Sequence, residues 1–172
     1  MKNLNKSNYK GIVLKLIPAF LKAGRKSIAL SGSKLKIFTK PDNTPVSNGD
    51  LAVDKILQTA IAKITPDIEI VSEETIQRNK VKKRDTFWLI DPIDGTSSYI
   101  KNKDEYTLNA ALIVNKIPVL GIVFAPKKKR LFYSYGKGHA YEMRGKKITK
   151  LNCNKIKKKT VSALTNSSHP ST

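Results

Sequence analysis

The order of apolar patterns along the chain predicts an α+β fold, with two helices packed on a mainly antiparallel sheet. Three observations carry this expectation. Apolar residues recur at helical spacing twice before residue 65. Six short strand-like runs follow, from Ile68 to Met143. Short turns, Asn115-Lys116 and Pro126 to Lys129, separate three of them as hairpins.

The first helix presents Tyr9, Ile12, Val13, Leu16, Ile17 and Phe20 on one face, with Ile28 as a candidate extension. Pro18 either kinks it or resets its start. Leu35 to Phe38 is a candidate short strand, and Lys40 to Asp50 reads as a loop rich in turn formers. Ser47 with Asp50 three positions on is the start signal of a second helix. Its buried face is Val53, Ile56, Leu57, Ala60, Ile61 and Ile64, and Thr65-Pro66-Asp67 ends it. The strand candidates are Ile68 to Val71, Phe87 to Ile90, Thr107 to Val114, Pro118 to Phe124, Arg130 to Tyr135 and Ala140 to Met143. Residues 1–152 form one expected domain. Residues 153–172 read as a basic linker and one further strand, Val161 to Leu164, with nothing to pair with.

The chain has 172 residues and a formal charge of +20, from 33 Lys and Arg against 13 Asp and Glu. That balance suits anionic partners such as nucleotides, phosphates, nucleic acid or a lipid surface. The lysines are spread along the chain, so a compositional origin stands beside the functional one. One cysteine, Cys153, excludes an internal disulfide and suits a reducing compartment. Lys15 and Lys22 interrupt the first apolar stretch, and no run approaches a membrane span of about 20 residues. The expectation is a cytoplasmic protein, with peripheral contact at the cytoplasmic face of the inner membrane as an alternative.

With so few acidic residues, their clustering matters. Glu73 and Glu74 follow one strand, Asp91 ends the next, and Asp94 lies three positions on. If the two strands are parallel neighbours, Glu73, Asp91 and Asp94 converge at one end of the sheet. Grouped carboxylates repel one another unless a cation neutralises them. An oxygen-only set without His or Cys favours magnesium over zinc, and the Ile93 carbonyl can join it. Gly95-Thr96-Ser97-Ser98 would then open a helical turn whose free N–H groups suit phosphate, with the Thr96 hydroxyl orienting a water. The bland alternative makes Asp94 an N-cap and Asp91 a solvent-facing strand end.

Three motifs in order resemble the magnesium-dependent, lithium-sensitive phosphatase superfamily that includes inositol monophosphatase. They are Asp42-Asn-Thr-Pro-Val-Ser-Asn-Gly-Asp50, the pair Glu73-Glu74, and Trp88-Leu-Ile-Asp-Pro-Ile-Asp-Gly-Thr96. Val71 to Glu74, Tyr99-Ile-Lys101, Glu105-Tyr-Thr-Leu-Asn109, Leu120 to Pro126 and Ser167-Ser-His169 resemble the 3'(2'),5'-bisphosphate nucleotidases of the CysQ type. The resemblance implies the N-terminal half of a layered αβαβα sugar-phosphatase fold. It implies removal of the 3'-phosphate from adenosine 3',5'-bisphosphate, a by-product of sulfate assimilation, with inositol monophosphate or fructose bisphosphate as alternative substrates.

By the same resemblance, Glu73, Asp91 and the Ile93 carbonyl hold one magnesium ion, and Asp91 and Asp94 hold a second. Asp42 and Thr96 position and deprotonate the attacking water, with help from Glu74 and a third, loosely held ion. Gly95, Thr96 and Ser97 hold the scissile phosphate. Attack is direct and in line, without a phosphoenzyme. Members of the superfamily continue into a second α/β domain with a W-D-x-A-A-G segment whose aspartate completes the second metal site. This sequence carries one tryptophan, Trp88, and no such segment, so the chain by itself is expected to be impaired. A function of another class, a basic non-enzymatic domain for nucleic acid or anions, has the charge in its favour but no nucleic-acid motif.

Overall fold

The computed structural model describes residues 6–41, 43–75 and 85–152. Helix α1 (Lys6–Leu30) and helix α2 (Asn48–Ile64) lie together on one face of a seven-stranded sheet. A small antiparallel hairpin, β1 (Ile37–Thr39) and β2 (Pro45–Ser47), joins them.

Tyr9, Val13, Leu16, Ile17 and Phe20 of α1 are buried, as their spacing predicts. Pro18 lies inside an unbroken helix. The face does not extend to Ile28, which is 42% exposed; Ala23 and Ser27 are buried there instead. Small residues suit that end because the sheet comes close: a Cβ on Gly24 would lie 2.2 Å from a ring carbon of Phe124. Helix α2 begins with the expected cap. The Ser47 hydroxyl accepts from the backbone N–H groups of Gly49 and Asp50, and the Asp50 carboxylate accepts from the Ser47 N–H at 2.8 Å. Val53, Leu57 and Ile61 carry its buried face.

The sheet runs in chain order: β3 (Glu69–Ser72), β4 (Thr86–Asp94), β5 (Thr107–Val114), β6 (Ile117–Ala125), β7 (Arg130–Ser134), β8 (Ala140–Arg144) and β9 (Lys147–Lys150). Strands β3 and β4 are parallel; the other pairs are antiparallel. A five-residue helix, α3 (Thr96–Ile100), follows β4. The six expected strands are all present, with ends unchanged or shifted by up to four residues. The strand expected at Leu35 to Phe38 is displaced to Ile37–Thr39, and the expected loop from Lys40 to Asp50 contains β2. Strand β9 has no counterpart in the sequence reading: its four residues are all exposed, so no apolar alternation marks it. The strand expected at Val161 to Leu164 and the linker before it lie outside the described residues.

Trp88, Ile90, Leu108, Leu112, Leu120, Ile122 and Leu131 form the sheet's share of the core, under the helices. The Trp88 indole donates to the Thr65 hydroxyl at 3.0 Å, tying β4 to the end of α2. Among the described residues no helix is long and apolar enough to cross a membrane.

Candidate active site

The parallel pairing of β3 and β4 brings the acidic residues together. Ser72 pairs with Ile90, so Glu73 continues beside Asp91, and the Glu73 N–H donates to the Ile90 carbonyl at 3.1 Å. Strand periodicity alone would turn Asp91 and Asp94, three apart, to opposite faces. A β-bulge at Pro92-Ile93 prevents this. Asp91 pairs with Asn109 and Asp94 with Thr107, three residues on β4 against two on β5. Both aspartates therefore share the sheet face that turns away from α1 and α2.

The electrostatics follow from this crowding. Burial pushes the Asp91 carboxyl up to about 7, and the charges of Glu73 and Asp94 add to it. Its Oδ1 is buried and has no hydrogen-bond partner. The neighbouring carboxylates have protein donors of their own. Lys40, in the turn between β1 and β2, donates to Glu74 at 3.0 Å and Glu73 at 3.3 Å. Burial lowers the Lys40 ammonium, but its bonds to the two glutamates more than offset that and raise it. The Asn109 amide donates to Asp94 Oδ2 at 3.1 Å. With these partners in place, no three His, Cys, Asp or Glu side chains among the described residues stand close enough to hold one ion. The expected convergence is one of strand ends rather than of a closed ligand cage.

A buried, unpaired oxygen beside two further carboxylates could nevertheless receive a cation. The donor set is hard and anionic, which suits magnesium. The Ile93 carbonyl accepts the Thr96 hydroxyl at 3.0 Å. Gly95 sits at φ +92°, and a Cβ there would lie 2.8 Å from the Glu105 carbonyl oxygen, so the turn into α3 needs glycine. Tyr99 anchors α3 by donating to the Ser27 carbonyl at 2.7 Å, and it crosses Tyr106 edge-on at 4.9 Å. Ser97 is exposed at the start of α3.

Two site residues escaped the sequence reading. Asp50, taken there as a cap, is buried with Oδ1 3.5 Å from the Thr96 hydroxyl; burial raises its carboxyl. Asp42, the expected partner of Thr96, lies outside the described residues. The signal for Asp50 was present: it closes the motif that begins at Asp42. Asp54 is the second. It accepts from the Ser72 hydroxyl at 2.5 Å and from Gln58 at 2.7 Å, fixing the end of β3 just before Glu73. One turn after Asp50, it reads only as a buried polar interruption of α2.

The model of the inositol monophosphatase family matches residues 12–172. The chain belongs to the inositol monophosphatase family. It is 37% identical over 109 residues to the 3'(2'),5'-bisphosphate nucleotidase CysQ of Escherichia coli O6:H1, covering 63% of this chain and 44% of that protein. The crystal structure of CysQ from Bacteroides thetaiotaomicron matches with a TM-score of 0.58 and 31% identity, over 80% of this chain and 50% of that one. An IMPase/NADP phosphatase complexed with Mg2+ and phosphate shares the fold, with a TM-score of 0.63 and 24% identity over 76% of this chain and 50% of that one. The chain thus spans about half the length of these relatives. The fold is that of an inositol monophosphatase-like N-terminal half, as the motifs imply.

Proposed function

We propose that this chain carries the cation- and phosphate-binding half of a magnesium-dependent phosphomonoesterase that removes the 3'-phosphate of adenosine 3',5'-bisphosphate in the cytoplasm. The observation that carries this reading is the bulge that turns Asp91 and Asp94 to one face beside Glu73, with Asp91 Oδ1 buried and unpaired. Kinship with the CysQ nucleotidases favours the nucleotide over inositol or sugar phosphates.

In this reading Glu73, Asp91, Asp94 and the Ile93 carbonyl would hold two magnesium ions, and Glu74, with a third ion, would help position the attacking water. When bound, magnesium supplies the positive charge that offsets the phosphate and the charge developing on it. Asp50 and Thr96 handle the water. When the Thr96 hydroxyl hydrogen turns from Ile93 to Asp50, the Thr96 oxygen is free to accept from the attacking water and to orient it. Among the described residues Asp50 is the carboxylate that reaches Thr96, and it joins the expected Asp42 in this role. Gly95, Thr96 and Ser97 offer backbone N–H groups to the scissile phosphate.

The test is phosphate release from adenosine 3',5'-bisphosphate, inositol 1-phosphate and fructose 1,6-bisphosphate, assayed side by side with millimolar Mg2+, together with calorimetric Mg2+ titration. Mg2+ binding with release ranked highest for the nucleotide supports the reading. Preference for inositol 1-phosphate would move the assignment within the family. Nucleotide binding indifferent to Mg2+, without release, would favour a basic anion-binding domain.

A further inference from the structure

Asn109 ends the segment Glu105-Tyr-Thr-Leu-Asn109 and has no role among the expected site residues, yet it stands directly opposite Asp91 in the β4–β5 ladder. Its orientation is forced. An ionised carboxylate only accepts, so the amide nitrogen must be the atom that meets Asp94 Oδ2 at 3.1 Å. The amide oxygen is thereby turned away from Asp94, and it is buried without a hydrogen-bond partner. The described residues contain two such orphaned side-chain oxygens, Asn109 Oδ1 and Asp91 Oδ1, and they belong to facing residues of adjacent strands. Both are acceptors. Leaving a buried acceptor unsatisfied costs about 1–3 kcal/mol, so a facing pair of them points to a missing cation rather than to a missing hydrogen bond between the two.

We infer that Asn109 is a positioning residue of the cation site. Its amide nitrogen holds Asp94 in place, and its amide oxygen contributes a neutral acceptor beside Asp91. The inference rests on the cation reading above and adds a residue to it. A neutral oxygen suits this place because a further carboxylate would add repulsion to a group already crowded with charge. The amide also does what no carboxylate can: it donates to Asp94 while accepting on its other side.

The experiment uses Asn109→Ala and Asn109→Ser in the 172-residue chain, with Asp91→Asn as reference. Mg2+ affinity is measured by calorimetry, and thermal unfolding is followed in EDTA and in Mg2+. Loss of a residue that supports metal ligands typically weakens metal binding about 10- to 100-fold, and that loss is expected in both Asn109 variants. Their unfolding temperature in EDTA should equal or exceed that of the unsubstituted chain, because an unpaired buried acceptor has been removed. The rise in unfolding temperature that Mg2+ induces should shrink. The Ser variant keeps a small polar group should the Ala variant fold poorly.

Unchanged Mg2+ affinity in the Asn109 variants, with binding abolished in Asp91→Asn, would overturn the inference and leave the cation site standing. Destabilisation in EDTA with an intact Mg2+ response would assign Asn109 a structural role only and also overturn it. No Mg2+ binding by the unsubstituted chain would overturn both the inference and the site reading.

Discussion

One cross-strand row of the sheet holds two carboxylates with opposite fates. The row runs Asp91, Asn109, Val123, Phe132, Glu142, Thr149, each residue paired with the next. At one end Asp91 is surrounded by acids, and burial with their charge pushes its carboxyl up to about 7. Towards the other end Glu142 accepts from Arg130 at 2.7 Å and Arg144 at 2.6 Å, which lower it below its ordinary value. The same face and the same strand geometry serve both. Glu142 has its counter-charges within the chain and closes the β7–β9 end of the sheet. Asp91 has none among the described residues. A carboxylate without a counter-charge there marks the end of the sheet that holds the candidate site.

The largest effect should come from making Asp91 resemble a neutral sheet residue. Asp91→Asn keeps the shape and removes the charge. Stabilisation by a metal of charge in the transition state is worth several kcal/mol, and each 1.4 kcal/mol is about tenfold in rate. Any phosphate release should fall roughly a thousandfold, and the calorimetric Mg2+ signal should vanish. Near-normal values of both would remove the contrast between the two ends.

Lys40→Met breaks the counter-charge that the described residues supply at the acidic end. Glu74, whose side chain is 4% exposed, loses its ammonium partner. Stranding a buried acceptor costs about 1–3 kcal/mol, so the unfolding temperature in EDTA should drop. Mg2+ affinity should rise, because Glu73 and Glu74 are released to the cation. A fall in Mg2+ affinity would show that Lys40 assists the cation instead of competing with it.

The pH dependence sharpens the comparison. An unfolded aspartate ionises near 3.9, whereas folded Asp91 keeps its proton to about 7. Between these values the folded state binds the extra proton, so its stability falls as pH rises. Unfolding temperatures in EDTA should decline from pH 5 to pH 8, and the Asp91→Asn variant should lack that decline. Glu142 acts in the opposite sense: its lowered carboxyl contributes stability that is present at neutral pH and lost on acidification below its ordinary range. The smallest effect belongs to Glu142→Gln. Its two arginine partners reach solvent, with side chains 39% and 60% exposed, where screening leaves ion pairs little net value, and the unfolding temperature at pH 7 should not change measurably. A large drop would mean that the far end of the sheet depends on its ion pairs.

Local signals in the sequence determined a good deal of this protein. Spacing marked the faces of α1 and α2, Ser47 with Asp50 marked a helix start, and Asp91-Pro-Ile-Asp-Gly-Thr96 marked the family and the candidate site. These signals work because helix periods, caps and tight turns depend on residues within a turn or two of one another. Exposed and short elements left no such trace: Lys147–Lys150 buries nothing, and Pro45–Ser47 is hidden among turn formers. Tertiary structure alone decided the rest. The bulge that turns Asp91 and Asp94 to one face is a matter of register against β5. The approach of Asp50 to Thr96 spans 46 positions, and the placing of Asn109 opposite Asp91 depends on strand pairing. Such contacts are set by how strands and helices dock, because shifting a strand by one residue moves every side chain to the other face.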